Sequence, residues 1–338
     1  MLLDDTFYMD LALNEAWKYQ FLTYPNPAVG ALVLGPHGEI LAINAHQKAG
    51  EAHAEVLALL DAYVKLCPDA STEVWSLLES SEIHDYLKLN HDAIFKNCTL
   101  YTTLAPCNHT GKTPSCSSLI KSLGIKRVVI GSMDPHSTGG KDLLVESGII
   151  VDTGVDKVAC DDLLAPFLAW QSKKPFVFFK MAQRLNGTYD GGIISNVSSR
   201  EHVHKLRAMI DTLVIGGQTV KVDRPILDTR MLHNAKNPNI AIYSHDKTFD
   251  ESIPLFSLKD REVIITDEKR KLFDKPFVMI EGGSGTFEAL KESVDWILLY
   301  VSGTMAPGLT MQSDFDAKIM HIMPIEDNYL LWMKKNKG

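Results

Sequence analysis

The stretch PCNHTGKTPSC, Pro106 to Cys116, and the tripeptide HAE, His53 to Glu55, decide how this chain is read. Two of only five cysteines stand with eight residues between them, in a loop of Pro, Gly and polar groups. Cys107 follows CTLYTTL, a strand pattern, and Cys116 follows Pro114, a residue that commonly opens a helix. A thiolate near a helix N-terminus loses its proton more easily. HAE opens HAEVLALLDAYVKL, whose apolar spacing is helical, so His53 and Glu55 are expected in its first turn, leaning toward the N-terminus. A lone helical His is usually a packed or solvent-facing residue. The combination of HAE with a cysteine at a strand end and a second opening a helix is a different matter.

Zinc takes thiolate sulfur and imidazole nitrogen in tetrahedral geometry, and a site with three protein ligands keeps its fourth position for water. His53, Cys107 and Cys116 supply three ligands, and no fourth Cys or His stands at a matching spacing. Cys98 falls in a strand pattern, and Cys67 and Cys160 in helical or loop context. Glu55, spared from ligation, is a candidate proton shuttle. The pattern matches the H-x-E, P-C-x-x-C signature of zinc deaminases, widened here by NHTGKTPS. His109, Thr110, Lys112 and Thr113, with amides near Gly111, are candidates to bind a phosphate at the rim.

Around this motif, strand and helix patterns alternate. TFYMDLALNEAWKY reads as helix, AVGALVL and EILAINAH as strands, CSSLIKSLGI as helix, KRVVIGS as strand and KDLLVESG as helix. That order predicts a layered α/β domain over residues 1–171, with a helical insertion at about 66–96. WQSKKP is the expected linker. KPFVFFKMA, DTLVIGG, NIAIYS, EVIIT, PFVMIEGG and DWILLYVSG then read as short core strands of a second α/β domain, residues 175–338. PFVMIEGGSGTFEALKE and DTLVIGGQTV each run a buried strand into a Gly-rich turn, which allows close backbone approach to a phosphate without being a G-x-G-x-x-G fingerprint.

Over 338 residues, a formal net charge of −8 argues against a large nucleic-acid surface. No window offers the roughly eighteen unbroken apolar residues of a membrane helix. MLLDDTFYMD lacks a basic start before an apolar run, so a cytoplasmic location is expected.

With HAE, PCNHTGKTPSC, TYPNPAVGALV and AHQKAGEAHAE in order, the chain resembles the bifunctional riboflavin-biosynthesis deaminase–reductases. The resemblance implies a cytidine-deaminase-like three-layer αβα domain followed by a dihydrofolate-reductase-like α/β domain, shorter here than is usual. It implies deamination of 2,5-diamino-6-ribosylamino-4(3H)-pyrimidinone 5′-phosphate, then reduction of the ribose to a ribityl chain with NADPH. By resemblance His53, Cys107 and Cys116 hold Zn²⁺ and Glu55 shuttles the proton. Asn26, His46, His109 and Lys112 would bind the deaminase substrate. In the second half, KMAQRLNG, DRPILDTR and EGGSGT match family segments. They imply Ala182, Thr219, Asp223, Glu281, Gly282, Gly283, Gly285 and Thr286 at the cofactor. Lys180, Ser195, Arg207, Leu227 and Arg230 would meet the reductase substrate. Partners implied are the small pyrimidine ribotide and further copies of the chain, with neither nucleic acid nor membrane. Ala105, Arg184, Asn186 and Arg224 depart from the family pattern. A deaminase with a degenerate second domain, a nucleic-acid base deaminase and a purely structural zinc are the competing readings.

Overall fold

The computed structural model describes residues 4–70, 74, 79–108, 111, 113–135 and 139–336. The chain divides into two units, Met1–Phe167 and Leu168–Gly338.

In the first unit, helix α1 (Asp5–Trp17) starts at Asp4, whose carboxylate accepts the Phe7 amide at 3.1 Å. Strands β1 (Gly30–Leu34) and β2 (Ile40–Ala45) form an antiparallel pair. Then follow α2 (Ala54–Leu66), α3 (Ser80–Asn90), β3 (Thr99–Leu104), α4 (Cys116–Leu123), β4 (Arg127–Ser132), α5 (Gly140–Glu146), β5 (Ile150–Thr153) and α6 (Lys157–Gln171). The sheet order is β2-β1-β3-β4-β5, with β3, β4 and β5 parallel. Parallel strands need crossover helices and are covered on both faces, and β3 and β4 are accordingly buried along almost their whole length, Thr and Ser positions included. α1 lies so close to β1 that a Cβ on Gly30 would stand 1.9 Å from the Ala12 carbonyl oxygen.

The second unit contains β6 (Phe176–Arg184), α7 (Val197–Met209), β7 (Thr212–Gly216), α8 (Gly217–Asp223), β8 (Asn239–Tyr243), β9 (Val263–Thr266), α9 (Lys269–Leu272) and β10 (Phe277–Glu281). α10 (Ser284–Leu290), β11 (Trp296–Ser302), β12 (Ala317–Ile325) and β13 (Asn328–Lys335) complete it. Its sheet runs β12-β13-β11-β6-β10-β7-β8-β9, and the six strands from β11 to β9 are parallel. β10 sits between β6 and β7, so the strand order reverses there, and the crevice beyond the carboxyl ends at such a reversal is where open α/β sheets bind ligands.

Three features differ from the sequence reading. Residues 150–171 form β5 and α6, and α6 carries the chain into the expected linker as far as Gln171. The antiparallel hairpin of β12 and β13 closes the sheet at one edge. Within the proposed insertion, α3 packs on both α2 and α4, the two helices that begin at the metal motif. No helix among the described residues is long and apolar enough to cross a membrane.

Candidate active sites

His53 is the N-cap of α2 rather than a member of its first turn, and Cys116 is the first residue of α4. Cys107 lies three residues beyond the end of β3. Its carbonyl accepts the Ser117 amide at 3.1 Å, the Ser115 hydroxyl at 3.1 Å and the Ser117 hydroxyl at 2.9 Å. Those bonds tie the loop's return to the start of α4. The result brings one His53 ring nitrogen and both sulfurs within 4.8 Å of one another. His53 Nδ1 is 3.7 Å from Cys107 Sγ and 3.3 Å from Cys116 Sγ.

The charge on these groups shows what the cluster lacks. A hydrogen bond from the Cys116 thiol, and then one from His53, bring the Cys107 pKa down to about 4 against the cost of burial. Cys116 donates that bond and is enclosed, so its pKa is pushed well above the ordinary thiol value. These shifts leave Cys107 ionised and Cys116 protonated, and a second thiolate beside the first would need added positive charge. A divalent cation is what would let both ionise, and a set of one imidazole and two sulfurs suits zinc. Glu55 is 4% exposed, and burial raises its pKa. Its carboxyl lies beside the Cys116 sulfur, at the edge of the cluster.

His53 Nε2 lies 3.2 Å from the Thr113 hydroxyl. Once Nδ1 gives up the proton it shares with Cys107, as binding of a metal would require, an Nε2–H donated to that oxygen would keep the Nδ1 lone pair toward the sulfurs. Thr113 thus orients the His53 ring, a contact the sequence reading, which placed this residue at a phosphate rim, did not foresee. His46 is buried, with Nδ1 3.1 Å from the Ala52 carbonyl and Nε2 3.1 Å from the Asn26 side-chain nitrogen. The carbonyl requires a proton on Nδ1 and the amide nitrogen requires a lone pair on Nε2, so the ring is neutral. Burial lowers its pKa to about 4, in agreement. The His46 ring stands edge-on to His53 with centroids 5.5 Å apart. His109, Thr110 and Lys112 lie outside the described residues. Ala105 bonds through its amide to the Ser132 carbonyl at 2.9 Å.

In the second unit a cavity of about 1310 Å³ opens at the carboxyl ends of β6, β7 and β10. Lys180, Ala182, Ser195, Arg207, Thr219, Asp223, Leu227 and Arg230 line it, as do Glu281, Gly282, Gly283, Gly285 and Thr286. Lys180 and Glu281 are register partners on adjacent strands. The Arg207 guanidinium binds both Glu281 oxygens, at 2.9 to 3.2 Å, in a largely buried pair. Burial alone would raise the Glu281 pKa, but Arg207 and Lys180 outweigh it and hold the carboxyl below its ordinary value. Burial lowers the pKa of Lys180, whose Nζ lies 5.8 Å from the centre of the Tyr300 ring. A Cβ on Gly283 would come within 2.9 Å of the Tyr189 ring, whereas one on Gly285 would meet nothing within 4 Å. The first turn of α10 at Gly285 thus borders open cavity.

The departures in this half carry structural contacts. Arg184 is buried and donates to the Asp190 carbonyl at 2.7 Å. Asn186 donates to the Ala306 carbonyl at 2.8 Å. Arg224 pairs with Asp250 at 2.7 Å and donates to the Ser252 hydroxyl at 2.6 Å. None of the three lines the cavity.

Comparison with known proteins agrees with both halves. The cytidine and deoxycytidylate deaminase zinc-binding region matches residues 3–132, and the RibD C-terminal domain matches residues 175–325. The riboflavin biosynthesis protein RibD of Aquifex aeolicus is 32% identical over 274 residues, 78% of this chain and 68% of that protein. RibD of Bacillus amyloliquefaciens is 32% identical over 257 residues, which span 73% of this chain and 61% of that one. A diaminohydroxyphosphoribosylaminopyrimidine deaminase/5-amino-6-(5-phosphoribosylamino)uracil reductase from Thermotoga maritima superposes with a TM-score of 0.63 at 26% identity, covering 98% of each chain. Acinetobacter baumannii RibD, 22% identical, shares the fold with a TM-score of 0.62 over 98% of this chain and 99% of that one. With a zinc-deaminase unit followed by a reductase unit, the chain belongs to the RibD family of bifunctional riboflavin-biosynthesis enzymes.

Proposed function

We propose that the chain performs two consecutive steps on one pyrimidine ribotide. The first removes the amine of 2,5-diamino-6-ribosylamino-4(3H)-pyrimidinone 5′-phosphate by hydrolysis, and the second reduces its ribosyl group to ribityl. The observation that carries the reading is the His53, Cys107 and Cys116 cluster with the buried Glu55 carboxyl at its edge.

At the first site, His53, Cys107 and Cys116 would hold zinc, which when bound supplies a Lewis acid that makes water nucleophilic near neutral pH. Glu55 takes the proton released as water attacks and returns it to the departing amine. Its burial raises the carboxyl's pKa, which makes the carboxylate a stronger base for taking that proton from water. His46, neutral and oriented by Asn26 and Ala52, presents its ring edge beside His53 and helps position the pyrimidine.

At the second site, the open volume beside Gly285 and the turns at Gly216 and Gly282 fit a dinucleotide, and bound NADPH would supply the hydride. Reduction also consumes a proton, and Lys180, buried and with a lowered pKa, is placed to give one. Glu281 stays ionised and is aimed by Arg207. Ser195, Leu227 and Arg230 complete the substrate side of the cavity.

Purified protein given the diaminopyrimidine ribotide should release ammonia and then oxidise NADPH. Ammonia release without NADPH oxidation would reduce the reading to a deaminase, and absence of both would end it.

A further inference from the structure

In the second sheet β6 lies between β11 and β10, so Lys180 has a neighbouring strand on each side. On β10 its register partner is Glu281. On β11 the partner is Leu298, and Tyr300 stands two residues further along, on the same face of the sheet. Glu281 is bound through both oxygens by Arg207, and Lys180 forms no ion pair among the described residues. What the Lys180 Nζ does meet is the Tyr300 ring, 5.8 Å from its centre. A ring face attracts a cation but takes no ordinary hydrogen bond from it. The ammonium is held while its N–H groups stay available to the cavity that Lys180 lines.

Tyr300 is itself fixed. It is 1% exposed, and its register partners are Ala182 on β6 and Leu330 on β13. Its hydroxyl lies 2.6 Å from Nδ1 of His202 on α7. Burial brings the His202 pKa down to about 4 and pushes that of Tyr300 well above the ordinary phenol value, so both groups are neutral near pH 7. Their contact pins the ring without placing another charge beside the amine. α7 therefore serves both flanks of Lys180. Arg207 grips Glu281 on one side, and His202 grips Tyr300 on the other.

We propose that Tyr300 is a positioning residue for Lys180: its ring face, kept in place by His202, holds the amine at the cavity wall with its hydrogens free for the sugar being reduced. The link to the sugar rests on reading Lys180 as the proton donor of the reduction. The hold on the amine does not, so the two can fail separately. The charged and titratable groups facing Lys180 are Glu281 on β10, Arg207 on α7 and Tyr300 on β11. Replacing the ring leaves the two charged groups in place. Because a ring face favours the ammonium over the neutral amine, its loss moves the Lys180 titration to lower pH.

The test uses the full chain. Tyr300→Met removes the ring but keeps an apolar side chain, whereas Tyr300→Phe keeps the ring and loses only the hydroxyl. Lys180 is titrated without turnover, by labelling with trace acetic anhydride across a range of pH and reading its peptide by mass spectrometry. In Tyr300→Met the onset of labelling should fall by about one pH unit. On deaminated ribotide, kcat for NADPH oxidation should drop roughly 3–30-fold and its alkaline limb should move down by the same interval. Both KM values should change little. Tyr300→Phe should recover most of both effects. Incorporating 3,4,5-trifluorophenylalanine at position 300 keeps the ring's shape and weakens its negative face. It guards against misfolding and should shift the titration in the same direction as Met. An unshifted Lys180 titration in the Met and trifluorophenyl variants would overturn the proposal. A shift as large in Tyr300→Phe would also overturn it, giving the role to the hydroxyl. If Lys180→Met oxidises NADPH as fast as the wild type, the proton-donor reading fails, while the labelling still decides whether the ring holds the amine.

Discussion

Thr113 and Glu55 show how differently two residues of one site can be legible. Glu55 is visible in the sequence because H-x-E fixes its distance from a ligand, whatever the rest of the chain does. Thr113 meets His53 across sixty positions through a single hydroxyl, 3.2 Å from Nε2, and no local pattern encodes such a bond. Its function is to fix the imidazole tautomer, so Thr113→Val should weaken zinc binding by about 10–100-fold while the fold is kept. Competition with a chromophoric chelator measures this directly, and an unchanged affinity would remove Thr113 from the metal's support. Glu55→Gln is isosteric and uncharged but cannot carry a proton back and forth. It should lower the rate of ammonia release by roughly 10²–10⁴-fold with bound zinc retained. Loss of zinc in that variant, measured by elemental analysis, would mean that the carboxyl belongs among the ligands.

At the scale of elements, α1 is held on the first sheet by two devices of different kinds. Gly30 lets β1 approach the α1 backbone, and a methyl there would collide with the Ala12 carbonyl, which cannot retreat without shifting the helix. Gly30→Ala should cost about 1–3 kcal/mol, read from the urea midpoint of the first unit. Arg127 on β4 binds both oxygens of Asp5, at 2.8 and 2.6 Å, and pairs with Asp152 on β5 at 2.6 Å. The hydrogen bonds from Arg127 hold the Asp5 pKa below the ordinary carboxylate value despite partial burial. A lowered folded pKa contributes stability above the unfolded value, and that contribution disappears as pH falls through the folded value. Arg127→Met should therefore lose about 1 kcal/mol at neutral pH, discounted for partial exposure, and the gap to wild type should close on acidification. A gap independent of pH would show that packing rather than charge is at work. The elements missed from sequence have physical reasons. α6 carries Pro166 in its interior, a residue that ordinarily ends a helix, and β12 holds Pro324, which an edge strand tolerates but a central one does not.

Across the whole molecule, the two chemistries are legible to different depths because they are encoded at different ranges. The first motif uses residue types with few alternatives, at a helix start and beyond a strand end, so the three residues that the fold clusters, His53, Cys107 and Cys116, could be singled out before any fold was known. The cavity of the second unit gathers the ends of β6, β7 and β10, about a hundred residues apart in sequence, and short Gly turns occur in many roles. There the resemblance named residues that composition and spacing could not. Each site is built within its own unit: the metal cluster uses residues 53–116, and the cavity uses residues 180–309. Removing zinc should therefore divide the activities. Dialysis against a pyridine dicarboxylate chelator should abolish ammonia release. NADPH oxidation, assayed on ribotide that has already been deaminated, should persist at close to its original rate. Adding back zinc should restore the first activity without changing the second. A parallel fall in NADPH oxidation would mean that the cavity depends on the metal after all, through a coupling that the residues lining it do not supply.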